Sequence, residues 1–196
     1  MLKELLRKNR SYRGFNQNRA ITREELEELV DCARLCPSSV NAQPLCYYLV
    51  WKPEELALVQ PLTHWAKALS QLTLPHPGKN PTGFIVICQN QQIDPSLARY
   101  QRDVGIVAQT MLLAAVEKGL GGCMIGNFQA GDLKAALHLP EHIAPMLVVA
   151  LGEPAEQVVL TQVGPDGDTR YYRDDQDVHY VPKRKLEDLI LNGKTE

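Results

Sequence analysis

A single globular domain, with helices interleaved between short apolar strands, is the architecture the sequence predicts. Two observations carry that expectation. Of 196 residues, 44% are hydrophobic, enough to bury one real core. Segments periodic at 3.6 residues alternate with apolar runs of strand length, and no repeat, low-complexity tract or long linker interrupts them. At most the composition allows a body with an appendage.

The elements follow in order. Thr22 opens a T-x-x-E capping box with Glu25, and Leu26, Leu29, Val30 and Ala33 recur at helical spacing until Pro37 forbids continuation. LCYYLVW, residues 45–51, reads as a strand, which makes CPSSVNAQP the stiff connection between helix and sheet. Residues 53–72 carry a helical pattern broken at Pro61, with Trp65, Ala68, Leu69 and Leu72 on one apolar face, and PHPGKNP follows as an exposed loop. FIVIC, 84–88, is a buried strand. From about Ser96 to Lys118 the positions Val104, Ala108, Met111, Leu112 and Ala115 mark a central helix, apolar around much of its circumference and capped by Gly119. GCMIG, a short helix at 131–138 and the strand APMLVVALG at 144–152 complete the body. The tail has few helix signals until KLEDLIL at 185–191, and its stretch from about 157 to 182 is expected to wrap a partner rather than form a compact loop.

Charge and motif content narrow the function. Twenty-one basic and twenty-three acidic residues leave a net charge of −2, so nothing overall draws the chain to nucleic acid or an anionic membrane. The N-terminal MLKELLRKNRSYR has no apolar core of signal-peptide length, and no run approaches a membrane span, so a cytoplasmic location is expected. The five cysteines, odd in number and mostly in apolar surroundings, read as reduced core thiols. No phosphate loop, G-x-S-x-G elbow or H-E-x-x-H is present, and GLGG at 119–122 lacks the spacing of a dinucleotide fingerprint. His138 and His142 flank Pro140 and read as loop residues. Cys32 and Cys36 have no second pair with which to cage a metal.

Two basic clusters remain, RKNRSYR near the N-terminus and PKRK at 182–185. Each taken alone reads as solvated charge. In Arg10-Ser11-Tyr12-Arg13, however, two guanidiniums and a hydroxyl fall within one turn, a set suited to a dianionic phosphate. Three such contacts at roughly 1.5–3 kcal/mol each fall short of the roughly 12 kcal/mol that nanomolar retention requires. A flat ring must therefore be buried as well.

Taken together, NRSYRGF at 9–15, CPSSVNAQPL at 36–45 and RDVGIVAQTMLLAAVEKGLG ending at Gly121 resemble the ordered motifs of the FMN-dependent nitroreductase family, with LGEPAE at 151–156 and VHYVPKR at 178–184 also in place. The resemblance spans nearly the whole chain. It implies one nitroreductase-like FMN-binding domain over residues 1–196: an α+β fold with a mixed central sheet flanked by helices, forming an intertwined homodimer with a C-terminal extension. It further implies ping-pong transfer of hydride from NADH or NADPH, through FMN, to an oxidised small molecule such as a nitroaromatic or quinone.

By the same resemblance Arg10 and Ser11 hold the FMN phosphate, Arg13 reaches toward the ribityl chain and pyrimidine edge, and Lys183 and Arg184 close on the phosphate from the C-terminal segment. Pro37, Ser38, Ser39 and Asn41 line the ring from the partner subunit. Met124, Ile125, Gly126 and Asn127 pass over its other side with backbone N–H groups near N5 and O4. No side chain is assigned as an obligatory acid or base, because protons can come from solvent. Two departures stand out: Asn9 replaces the family's first arginine, and Leu45 replaces a tryptophan near the cleft. A non-catalytic flavin-binding or sensory protein, a phosphate-binding module without flavin, and a related dehalogenating or flavin-modifying activity remain alternatives.

Overall fold

The computed structural model describes residues 1–69 and 71–192. The chain divides into two compact units, one formed by Met1–Trp65 with Thr73–Ala155, the other by Ala66–Leu72 with the segment from Glu156 onward. The first unit is built on a four-stranded sheet in the order β1-β2-β4-β3, where β1 is Leu45–Val50, β2 Gly83–Asn90, β3 Gly121–Ile125 and β4 Ile143–Gly152. Every neighbouring pair is antiparallel. The mixed character expected of this sheet is confined to an isolated parallel bridge between Ser11 and Gly122, on the β3 edge.

Five helices belong to this unit: α1 (Leu2–Lys8), α2 (Arg23–Ala33), α3 (Pro53–Val59), α4 (Gln101–Glu117) and α5 (Ala130–Ala136). Side chains alternate across a strand, so each strand feeds two cores. On one face Ile85, Ile87, Val149 and Leu151 pack with Leu26 and Leu29 of α2 and Val104, Ala108 and Met111 of α4. On the other, Phe84, Val86, Val148 and Ala150 pack with Val59 and with Leu133 of α5. In β1 the split is clean: Leu45, Tyr47 and Leu49 serve the first core, while Cys46, Tyr48 and Val50 serve the second.

Local signals explain most element limits. Thr22 and Glu25 form the reciprocal capping box at the start of α2, and Gly119 follows α4 at φ +73°, the left-handed conformation that terminates a helix without a Cβ penalty. The central helix begins at Gln101 rather than near Ser96, because Asp94 accepts bonds from Ser96 N and Tyr100 Oη and holds the approach as turns. The helical face expected through residue 72 is not formed. The α-helix ends at Val59, Pro61 sits in a 3-10 turn at Gln60–Leu62, and Lys67–Leu69 forms a separate turn; Ser70 lies outside the described residues.

Glycines at 121 and 122 permit close packing on the sheet edge. A Cβ on Gly122 would collide with the Ala150 carbonyl oxygen and lie 2.7 Å from Leu112 Cδ2. Gly122→Ala is therefore expected to cost about 1–3 kcal/mol of stability by overpacking, whereas Gly131→Ala in α5, with nothing within 4 Å of the added Cβ, should be neutral or stabilising by under about 1 kcal/mol. Urea unfolding of both variants checks the contrast.

The second unit holds a three-stranded sheet in the order β5-β7-β6, with β5 at Val158–Gln162, β6 at Tyr172–Arg173 and β7 at His179–Lys183. β5 and β7 run parallel, and β6 is antiparallel to β7. Arg173 lies between Glu156 and Asp177, with its side chain 3% exposed and that of Glu156 2% exposed. Asp174 accepts bonds from Val178 N at 2.9 Å and Tyr180 Oη at 3.0 Å, and Tyr172 stacks on Tyr180 with centroids 5.0 Å apart. The helix expected at 185–191 is reduced to a 3-10 turn at Leu186–Asp188. Leu186, Leu189 and Leu191 are exposed there, so no apolar face is buried to compensate the cost of helix nucleation.

Candidate functional site

The basic turn sits where α1 ends and the chain crosses the β3 edge. Tyr12 N donates to the Gly122 carbonyl at 3.0 Å and Tyr12 Oη to the Lys8 carbonyl at 2.9 Å, which anchors both sides of Arg10 and Ser11. Arg10 Nη2 donates to the Leu6 carbonyl at 2.6 Å, while its Nε is buried without a hydrogen-bond partner. Burial pulls the Arg10 guanidinium below its ordinary value, with Tyr12 acting weakly in the opposite sense. An arginine stays charged in any protein setting, so this is a cation with a desolvated, unused donor. Ser11 is exposed beside it, and the buried Arg13 donates from Nη1 to the Ser11 carbonyl at 3.0 Å. An anion would complete this donor set. The phosphate of FMN has the charge and oxygen count to do so, and the residues present fit it.

The connection from α2 to β1 is held from an unexpected quarter. Asp103, in the first turn of α4 and 4% exposed, accepts at Oδ2 from Ser38 Oγ at 2.7 Å and from Ser39 N at 2.9 Å. The Ser38 hydroxyl in turn accepts from Gln43 N at 3.1 Å. Pinned at that point, the loop turns through Val40, Asn41 and Gln43 at φ +48°, +55° and +49°. Positive φ is unusual for a non-glycine residue and strained for a β-branched one, so the conformation persists only because the surroundings over-determine it. The result is that Val40 stands 86% exposed and Pro37 and Asn41 are also exposed. The Ser38 hydroxyl is committed inward, leaving Ser39 and the exposed residues as the outer surface of this loop.

Behind the loop lies a cavity of about 150 Å³, lined in part by Cys36, Pro37, Ser38, Leu45, Tyr47 and Asp103. Cys36 Sγ contacts Thr110 Oγ1 at 3.1 Å. Burial first, then the neighbouring Cys36 and Cys46 thiols, push the Tyr47 phenol up to about 12.

On the far side of the β3 edge, Met124 is 36% exposed, Ile125 is buried, and Gly126 and Asn127 are exposed in the turn that follows, where the Asn127 carbonyl accepts from His64 N at 2.9 Å. The Ser11–Gly122 bridge thus places the basic turn and the Met124–Asn127 segment on one sheet edge. The Pro37–Asn41 loop is tied instead to α4. Lys183 ends β7 and Arg184 follows it, both exposed in the second unit; their assignment to a phosphate rests on the sequence resemblance. Asp103 and Tyr47 had no role assigned from sequence. Asp103 stands at the head of the RDVG motif, a visible signal, but its partners lie 64 and 65 positions away. Among the described residues no group of three or more His, Cys, Asp or Glu could hold a metal ion, and no helix is long and apolar enough to cross a membrane.

An antiparallel sheet between two helical layers, with an anion-receptive turn on one edge and a strained loop pinned to the central helix, defines the class: an α+β sandwich. Residues 6–153 match the model of the Nitroreductase family, and the chain belongs to that family of oxidoreductases. An inferred NADH dehydrogenase/NAD(P)H nitroreductase of Methanothermobacter thermautotrophicus is 28% identical over 157 residues, covering 78% of this chain and 77% of its own. The FMN reductase (NADPH) of Bacillus subtilis is 27% identical over 173 residues, covering 78% and 65%. The solved structure of an FMN-dependent nitroreductase from Clostridium difficile superposes with a TM-score of 0.62 at 22% identity, covering 78% of this chain and 87% of its own.

Proposed function

We propose that the chain is an FMN-dependent oxidoreductase that passes hydride from NADH or NADPH to a small oxidised acceptor, a nitroaromatic or quinone, in two successive half-reactions at one site. The observation that carries the reading is the buried, unpartnered Nε of Arg10 inside the family's basic turn. Relatives named as an FMN reductase using NADPH and as an FMN-dependent nitroreductase support the choice of cofactors. When bound, FMN supplies a ring position that takes and gives up hydride. Arg10 and Ser11 would hold its phosphate, and the rigid Ser39–Asn41 surface would limit the room beside its ring. Backbone N–H groups of the Met124–Asn127 segment would meet the ring's polar edge. Solvent provides the protons.

A second copy of the chain is part of the proposal. Ile106 of α4 is 40% exposed, Gly105 is exposed, and Leu113 and Val116 are half-buried on the same helix. An apolar stripe of that kind on the central helix suits a homodimer in which the Pro37–Asn41 loop of one protomer walls the ring held by the other.

The purified protein should be yellow, and its visible absorbance should bleach on addition of NADH or NADPH and return with a quinone. Arg10→Ala removes a charge-assisted bond worth about 1.5–3 kcal/mol, so FMN should bind roughly ten- to a hundredfold more weakly while the unfolding midpoint of the apoprotein stays nearly constant. Undiminished FMN affinity in that variant would refute the assignment.

A further inference from the structure

We propose that Cys46 and Cys88 form a site for a soft divalent cation that takes two ligands in line, mercury(II) being the ion of that class with which to probe it. The two residues are direct partners in the register of β1 and β2, so both thiols leave the same face of the sheet. The ladder fixes their spacing. Asn90 N donates to the Pro44 carbonyl at 2.8 Å, which makes 44 and 90 a hydrogen-bonded pair; pairs of that kind recur at every second position, so 46 and 88 form the next. The Cβ atoms of such a pair lie about 5.5 Å apart. A disulfide needs about 3.5–4.5 Å between them, so its formation would have to pull the strands together. Two metal–thiolate bonds of about 2.3 Å in line hold the sulfurs about 4.6 Å apart, a span that an ion closes with both strands where they are.

Charge selects the ion. Burial pushes the Cys46 thiol up, and burial followed by the Cys46 thiol pushes Cys88 up to about 12, so both rest as neutral thiols. Cys88 is 1% exposed and belongs to the same apolar core as Val86 and Val148, while Cys46 is half-buried and gives the site its opening to solvent. Cys88 Sγ lies 3.7 Å from the Val86 carbonyl, a weak bond that an entering ion displaces. A divalent ion that replaces both protons leaves no net charge: M²⁺ and two R–SH give M(SR)₂ and two H⁺, with no electron transferred. Monovalent copper in the same place would leave a negative charge in an apolar core, and zinc would lack two of its four ligands. The other cysteines are placed differently. Cys36 Sγ is engaged with Thr110 Oγ1 at 3.1 Å, and Cys123 stands opposite Ala150.

The site stands apart from the proposed activity and is read without turnover. The reduced, purified protein, given one equivalent of mercury(II) chloride and desalted in excess 2-mercaptoethanol, should retain one ion per chain, because the competing thiol strips ions held by a single cysteine. X-ray absorption of the retained ion should find two sulfur ligands. Cys46→Ala and Cys88→Ala should each bind at least about a hundredfold more weakly, since the second thiolate no longer acts at high effective concentration. Urea unfolding reports whether each variant is folded, and Cys46→Ala, at a half-buried position, carries the test if Cys88→Ala is not. Cys32→Ala combined with Cys36→Ala should hold the ion as the wild type does. Retention by folded Cys46→Ala equal to that of the wild type, loss of the ion from the folded double variant instead, or ready formation of a Cys46–Cys88 disulfide with diamide would overturn the site.

Discussion

Arg173→Ala is expected to destabilise the protein by roughly 3–5 kcal/mol. The guanidinium lies between Glu156 and Asp177, donating from Nη1 to Asp177 Oδ1 at 2.8 Å and from Nη2 to Glu156 Oε2, and the Arg173 and Glu156 side chains are 3% and 2% exposed. Coulomb attraction and fork geometry together compensate the loss of hydration on both ions. Removing the cation leaves the Glu156 carboxylate buried beside an empty volume. Arg173→Lys keeps the charge but not the fork and should lose less. Replacing both partners, as Arg173→Met with Glu156→Leu, should recover much of the loss, because neither charge then has to be desolvated. Urea unfolding with hydrogen exchange at the β5 and β7 amides measures all three variants. A loss below about 1 kcal/mol for Arg173→Ala would mean that water reaches the site.

Asp103→Ala should cost about 2–5 kcal/mol and release the loop it pins. Two donors, Ser38 Oγ and Ser39 N, lose their acceptor at once, at roughly 1–3 kcal/mol for each buried group left unsatisfied. Val40, Asn41 and Gln43 then have no reason to stay at positive φ, and relaxation of that strain returns part of the cost. Asp103→Asn keeps one acceptor oxygen and should lose about half as much. The direct readout is exchange protection of the Ser39 amide, which should fall sharply in Asp103→Ala. In the proposed dimer FMN affinity should fall as well, although Arg10 is untouched. A Ser39 amide as protected as before would show that the loop holds its shape without the carboxylate.

What was legible in the sequence was local. The capping box of Thr22 and Glu25, the period of α4 and the apolar runs of β1, β2 and β4 are each written within a few residues, and all formed. The Arg10–Arg13 turn was legible for the same reason, since its donors are neighbours in the chain. Illegible were relations set by the third dimension. Asp103 reads as an ordinary acid in a first helical turn until Ser38 and Ser39 are laid against it. Tyr47 reads as one aromatic in a strand until it is laid against the cavity it shares with Cys36 and Asp103. KLEDLIL failed in the opposite way: its pattern is helical, but pattern alone does not make a helix when Leu186, Leu189 and Leu191 stay exposed and nothing offsets the cost of nucleation. The antiparallel order of the main sheet also depends on which strands meet, which no run of residues specifies.

Strand β1 carries two kinds of information on alternating residues. Odd positions 45 and 47 shape a cavity, and even positions 46 and 48 belong to the opposite core. Changing an odd position alters a surface that a ligand could meet while leaving the even side chains in place. The cavity wall is thus editable separately from the far core: combinatorial variation at 45 and 47 samples shapes on a backbone whose hydrogen bonding and far-side packing are not rewritten. Inserting or deleting one residue has the reverse effect, because it exchanges the two sets and spoils cavity and core in a single step.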